Sequence, residues 1–457
     1  MVCLFKNIRS LNMIRVLTGL ILTLSFVGCK HSTDNAGFEK LCHNQLQQWN
    51  AKLTEVIITD VFTPPVCSRI YTYTNIAAYE ALVPSDSSGA YPSFAGRLKG
   101  LNAVPQPYKG IAYCYPIASV IAFTTVAQKL VFNGDAIKEM EKQYLHQLDS
   151  LEIEKVVLDS SVAYGRNVGK HIISWAGKDG YLQRTSFPGY IVTKEPGRWV
   201  PTPPDYMDAI EVNWSKVRSF VIDSASQFRP PPPIKFDTAK NSLFYKQAME
   251  VYTIVKELAP GDSATAWYWD DNPNTSVTQG HVTYFQQKMS PPGHWVHIAC
   301  NVTAKENYSA IKTASVIAQT AISIADAIIS CWETKYFYNY IRPESYLNAY
   351  IRKYIDKDWV PLIQTPAFPE YTSGHSCLSA SAATALTNLV GDNYAFIDST
   401  EVPYGRPQRK FNSFQEAATQ ASYSRMYGGI HFREALETGN KQGKQVGEFV
   451  TAKLKAK

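Results

Sequence analysis

Eight cysteines occur in this 457-residue chain, yet no Cys-x-x-Cys pair is among them. A cysteine-based zinc site and a thioredoxin-like redox pair are therefore unsupported. Charge is also scarce. Only 18% of residues are Asp, Glu, Lys or Arg, against 45% hydrophobic and 12% aromatic, which excludes wholesale disorder. Neither sign dominates, with 45 Lys and Arg facing 39 Asp and Glu. Three of those cations, Lys6, Arg9 and Arg15, sit in the first 28 residues, where no acid occurs. The remainder is too near neutral for a nucleic-acid binder. No apolar run reaches the roughly 20 residues of a bilayer span, which excludes a multi-span membrane enzyme. Internal repeats, low-complexity segments and serial hairpin signals are missing as well.

What is present begins with a targeting segment. Lys6, Arg9 and Arg15 precede an apolar stretch, Val16 to Val27, of the length of a secretory h-region. It ends in Ser25-Phe26-Val27-Gly28-Cys29, which resembles the lipobox of bacterial lipoproteins. That resemblance implies cleavage before Cys29, lipidation of Cys29, and an exported, membrane-anchored protein in the periplasm or at the cell surface. The bland reading is a plain signal peptide with an incidental cysteine. Residues 1–28 are thus read as leader and 29–37 as a polar tether. Export permits disulfides, and a Cys42–Cys67 bridge is one possibility; buried free thiols are the default.

Apolar spacing in the rest is mostly helical, so the fold is expected to be all-α, a large helical bundle with long Pro- and aromatic-rich loops. Residues 115–132 and 137–177 carry i, i+3, i+4 patterns, and 307–334 is the clearest case. Helices are also expected over 376–390 and 414–427. Loops are expected at 190–206, 229–236, 267–274 and 290–297, and loops of this kind are often functional. The division proposed is an N-terminal helical part, 38–306, and a C-terminal catalytic bundle, 307–457.

Three islands in the last third carry chemistry. Lys335 and Arg342, seven apart on one expected helix face and followed by Pro343, can grip one oxyanion; alone they read as a solvated basic face. Ser373-Gly374-His375 runs into an apolar helix, where free N–H groups and the dipole favour an anion; alone it is a simple N-cap. Ser424-Arg425 followed by Gly428-Gly429-Ile430-His431 presents an imidazole after a Gly-Gly turn. Together they supply three cations, a hydroxyl, a helix-end amide and two imidazoles, the inventory that suits a tetrahedral oxyanion.

In order and spacing, K-x6-RP, SGH and SR-x5-H resemble the signature of the superfamily of vanadium-dependent haloperoxidases and type 2 phosphatidic-acid phosphatases. Trp332 and Phe368 resemble the aromatic positions of the halide side in vanadium chloroperoxidase. The segments PGRWVPTPP and WYWDDNP look like bacterial haloperoxidase relatives. The resemblance implies His431 as ligand of vanadium, or as nucleophile on phosphorus, and His375 as general acid/base. Lys335, Arg342, Arg425, Ser373 and Gly374 would neutralise the vanadate or phosphate oxygens. Asp270 or Asp271 would orient Arg425. Thr372 departs from the family pattern, standing where Pro usually precedes Ser-Gly-His.

Vanadate and phosphate are near-isosteres, so three functions stay open. One is a vanadium haloperoxidase acting on hydrogen peroxide and halide with vanadate as cofactor. Another is a phosphomonoesterase acting on a phosphate ester through a phosphohistidine, needing no cofactor. The third is a surface lipoprotein that binds an anion or glycan without chemistry. Soluble acid phosphatases of the superfamily are much shorter and its lipid phosphatases have several spans, which favours the haloperoxidase.

Overall fold

The computed structural model describes residues 45–151, 153–193, 195–355 and 359–455. The leader, Cys29, the tether and Cys42 lie outside them. Twelve helices of eight residues or more are described: α1 (Gln45–Thr59), α2 (Pro64–Leu82), α3 (Tyr115–Leu130), α4 (Gly134–Leu148), α5 (Lys155–Ala176), α6 (Leu243–Lys256), α7 (Pro260–Tyr268), α8 (Pro291–Lys305), α9 (Ala310–Tyr338), α10 (Gly374–Val390), α11 (Phe414–Tyr427) and α12 (Arg433–Leu454). Two small antiparallel hairpins complete the regular structure. In the first, β1 (Ser276–Gln279) pairs with β2 (Val282–Phe285); in the second, β3 (Phe396–Asp398) pairs with β4 (Arg409–Phe411).

The helical spacing expected over 137–177 is carried by two helices, α4 ending at Leu148 and α5 opening at Lys155. Residues 290–297, expected as a loop, open α8 instead. Ser290 accepts from the Gly293 N–H as N-cap, and Pro291 and Pro292 fill the first two helical positions, where the missing N–H costs nothing.

Helix α9 is the centre of the molecule. It is the single described helix long and apolar enough to cross a membrane, and that stretch is wholly buried in protein. A helix apolar all round has to be surrounded by others. α2, with all its residues buried, packs against it from the N-terminal side together with α8, while α10 and α12 pack from the C-terminal side. One apolar cluster draws residues from Leu46 to Leu454, and a second, smaller one gathers Phe244 and Val251 of α6 with Tyr340, Tyr346 and Phe432.

Helices α10 and α12 approach closely because Gly439, Gly443 and Gly447 form a stripe along α12. A side-chain carbon at Gly443 would lie 1.9 Å from the Cys377 carbonyl oxygen, and one at Gly439 3.0 Å from that of Ser373. Small residues at every fourth position thus fix where the N-terminus of α10 sits. Buried Gln442 ties the same region together. It accepts from the Thr372 hydroxyl at 2.6 Å and donates to Ser330 and Thr334 of α9, each at 3.0 Å. Cys67, Cys114, Cys300, Cys331 and Cys377 are all buried free thiols.

Candidate active site

The C-terminal ends of α9 and α11 and the N-terminal ends of α10 and α12 meet around the segment 366–373. Lys335 lies in the last turn of α9, fully buried, and donates to the carbonyls of Pro369 and Glu370 at 2.9 and 3.0 Å. Arg342 is not on that helix. α9 ends at Tyr338 with Asn339 left-handed at φ 50°, and Pro343 opens a short new helical turn rather than closing the old one. Lys335 and Arg342 therefore meet by chain reversal, not by two-turn spacing. Arg342 donates to the carbonyls of Phe368 (3.0 Å) and Ile430 (2.9 Å), and its Nη1 lies 3.0 Å from His431 Nε2.

His431 follows the Gly428-Gly429 turn, where Gly429 takes φ 79°. A side chain there would meet Val255 and Pro361 at 3.0 and 3.1 Å, so the turn needs glycine for its conformation and its space. The imidazole is fixed by Glu370. Its Nδ1 lies 2.8 Å from Glu370 Oε1, which also accepts from the Phe432 N–H at 2.9 Å. A proton on Nδ1 makes Nε2 an acceptor, here of the Arg342 Nη1–H at 3.0 Å; an oxyanion ligated at Nε2 would take over that lone pair and leave the guanidinium to its oxygens, the arrangement of a histidine ligand held by a carboxylate. Burial, then the charges of Arg342 and Lys335, hold His431 well below the usual imidazole range. Burial likewise pushes the Glu370 carboxyl up to about 8, against the pull of Arg342.

Ser373 caps α10, accepting from the Ser376 N–H at 3.3 Å. The Gly374 N–H, in the first turn, has no intrahelical acceptor. His375 Nε2 donates to the Trp269 carbonyl at 3.0 Å, which leaves Nδ1 unprotonated. Burial and the Arg425 charge lower its pKa well below the usual range, so the ring is neutral.

Arg425, near the end of α11, donates to Ser424 Oγ (2.9 Å) and the Ala266 carbonyl (3.0 Å). Its Nη1 lies 3.9 Å from Asp270 Oδ1. Asp270 is shared with Lys288 at 2.6 Å. Asp271 turns elsewhere, to His294 at 3.0 Å. Of the two candidate acids, Asp270 is the one that meets Arg425.

These groups surround a cavity of about 30 Å³ whose walls include Asp270, Trp332, Phe368, Gly374, His375, Arg425 and His431. That is room for a small ion, not an organic molecule. Trp332 and Phe368 pack with ring centroids 5.0 Å apart. Lys335 Nζ and the Arg342 guanidinium lie 5.0 and 5.1 Å from the Phe368 ring centre. Lys335, Arg342 and Ser373 stand behind the wall rather than in it.

The charge count tests whether an oxyanion fits. Three buried cations, Lys335, Arg342 and Arg425, face three carboxylates: Asp270 is shared with Lys288, Asp271 is engaged by His294, and Glu370 is disfavoured as an anion by burial. Burial pulls Lys335 down to about 8 and Arg342 to about 10. The pocket is short of negative charge, and a small tetrahedral oxyanion such as vanadate supplies it. A side-chain carbon at Gly374 would sit 3.7 Å from Trp332 and 4.0 Å from Lys335 Cε, so glycine leaves room beside the ammonium.

Glu370 carries no role in the sequence reading, although it stands five residues before His375. It is the lone acid between Phe368 and His375, and a charged side chain in so apolar a segment signals a buried partner.

A mostly helical fold with a buried cationic pocket, an N-capped helix end and a carboxylate-held imidazole has the makings of an oxyanion-handling protein. Residues 315–457 match the family model for the VCPO second helical-bundle domain. Among solved structures, the first bacterial vanadium-dependent iodoperoxidase is 41% identical. It superposes with a TM-score of 0.83 over 89% of this chain and 95% of its own. The holo-type bacterial vanadium-dependent chloroperoxidase gives 0.64 at 16% identity, over 86% of this chain and 93% of its own. The apo-type form gives 0.63 at 17%, over 86% and 96%. These two show the fold alone. No curated protein matches the chain. The chain belongs to the vanadium-dependent haloperoxidase family.

Proposed function

We propose that the protein oxidises iodide with hydrogen peroxide, using vanadate held at His431 Nε2. The observation that carries this is the His431 imidazole, bonded through Nδ1 to Glu370 and presenting Nε2 as an acceptor toward the Arg342 guanidinium among three buried cations. The choice of iodide rests on the 41% identity to the bacterial iodoperoxidase. Bound vanadate supplies a Lewis-acidic centre that activates peroxide without changing its own oxidation state.

The chain's own residues supply the rest. Lys335, Arg342, Arg425 and the Gly374 N–H balance the oxygens' charge in a water-poor pocket. His375, neutral with Nδ1 free, takes a proton from peroxide as it enters and returns it to the leaving oxygen. Trp332 and Phe368 give an apolar wall that favours a weakly hydrated halide over the polar group of a phosphate ester. The balance is iodide plus peroxide plus one proton to hypoiodous acid and water: iodide loses two electrons and the O–O bond breaks.

Paired assays on one preparation test this. Vanadate-loaded protein should oxidise iodide with peroxide, and vanadate-free protein should hydrolyse p-nitrophenyl phosphate only slowly. Brisk hydrolysis with no iodide oxidation would make the protein a phosphatase and overturn the reading.

The protein is further proposed to be an exported lipoprotein anchored through Cys29. The support is the charge, apolar core and Gly28-Cys29 junction of the leader. A Cys29→Ser variant should leave the membrane fraction, and its continued attachment would refute the anchor.

A further inference from the structure

Beside the oxyanion pocket lies a second cluster that halide oxidation does not use. His294, in the first turn of α8, has no exposed surface. Its Nε2 faces Asp398 Oδ2 at 2.8 Å. Asp398 is itself fixed, its Oδ1 accepting from the Thr400 N–H at 3.0 Å and hydroxyl at 2.7 Å. The Nε2 proton is thereby assigned to Asp398, and Nδ1 is left to face two more carboxylates. Asp271 Oδ2 is 3.0 Å away and Glu401 Oε1 3.9 Å. Glu401 is only 8% exposed, and its Oε1 is buried without a hydrogen-bond partner. Buried carboxylate oxygens are ordinarily satisfied, and one that points toward an imidazole nitrogen and another carboxylate is matched by positive charge among them, from a proton on His294 or from a metal cation in its place.

We propose that Asp271, His294 and Glu401 form a metal site for a first-row divalent cation such as Zn²⁺ or Mn²⁺. Their ligand atoms all lie within 4.8 Å of one another. One imidazole and two carboxylates suit Zn²⁺ or Mn²⁺; Ca²⁺ and Mg²⁺ take oxygen donors. Asp398 holds the distal nitrogen as a carboxylate does behind a metal-bound histidine. This cation is distinct from vanadate, which is an anion held among cations.

The site has a place in the architecture. Trp269 stacks on His294 with centroids 4.5 Å apart and planes 19° apart. The same Trp269 offers its carbonyl to His375, and its neighbour Asp270 faces Arg425. A cation that ties Asp271 to α8 and to Glu401 would brace the segment 269–272, whose Asp270, Asp271 and Asn272 line the oxyanion pocket. Its role is positioning, not catalysis.

The test uses full-length protein, freed of metal by chelator and then of chelator. Calorimetric titration with ZnCl₂, and separately MnCl₂, should show one equivalent of at least one of the two bound, with a raised thermal midpoint. Glu401→Gln removes a charge from an oxygen that has no partner, so it should fold, and it should weaken binding at least tenfold. Asp398→Asn should weaken it by about 10–100-fold, as outer-shell changes do. Sulfate binding in the oxyanion pocket should survive in both variants, which separates this site from the vanadate site. Failure of the wild type to bind either metal stoichiometrically would overturn the proposal. So would unchanged affinity in both variants, since binding would then be at surface histidines.

Discussion

Removing the carboxyl group of Glu370 exposes how the imidazole is held. Glu370 Oε1 is the acceptor for both the His431 Nδ1–H, at 2.8 Å, and the Phe432 N–H, at 2.9 Å, and all three residues are buried. Glu370→Ala leaves two buried donors unpaired. Each costs about 1–3 kcal/mol, so a loss of about 2–6 kcal/mol is expected, together with a cavity behind His431. The imidazole also loses the partner that keeps its proton on Nδ1, and vanadate affinity should fall by about 10–100-fold or more. Glu370→Gln keeps an oxygen of the same reach. Because burial already pushes the Glu370 carboxyl up to about 8, its work is that of an acceptor more than of a charge. The Gln variant should lose less than about 1 kcal/mol and bind vanadate within about tenfold of wild type. Urea unfolding followed by circular dichroism reads the stability, and vanadate titration of activity reads the affinity. An Ala variant as stable and as tight-binding as wild type would refute the reasoning, and so would a Gln variant as damaged as Ala.

Two further outcomes follow from the same geometry. Lys335 is pulled down to about 8 from an ordinary value of 10.5. Sulfate, which does not titrate in this range, should bind the vanadate-free protein progressively more weakly above about pH 8 as Lys335 loses its proton. The unfolded chain binds that proton up to about 10.5, so the contribution of Lys335 to stability should rise with pH between the two values and be lost as pH falls through 8; comparing wild type with Lys335→Met over that window measures it. Phe368→Ala removes a ring that packs on Trp332 and lies beside both Lys335 and Arg342. It should cost up to about 3–5 kcal/mol and slow halide turnover more than it weakens sulfate binding, whereas equal loss of both would make the ring a packing residue only.

Much of this was legible in the sequence because the chemistry sits in compact islands. Ser373-Gly374-His375 announces a capped helix end, and Gly428-Gly429 a turn before His431, from local rules alone. The partnership of Lys335 and Arg342 was legible from their order but not from helical geometry. A left-handed Asn339 and a Pro343 that starts a helix bring them together around the carbonyls of 368–370. Pro291-Pro292 concealed the start of α8, since proline breaks a helix interior yet suits its first turn. The His294 cluster was out of reach for another reason. Its members come from the segments at 271, 294, 398 and 401, and no local pattern records that β3 and α8 lie side by side. Asp270 and Asp271 could be told apart only in three dimensions, because adjacent residues in a turn point to different neighbours.

The central claim is that His431 Nε2 is the vanadate ligand while His375 moves protons beside it. The most direct measurement is vanadate binding by calorimetry to wild type, His431→Ala and His375→Ala, with iodide oxidation assayed on the same samples. The account predicts no measurable vanadate binding in His431→Ala. In His375→Ala it predicts binding within about tenfold of wild type but turnover lowered by about 10²–10⁴-fold. Wild-type vanadate affinity in His431→Ala would contradict it.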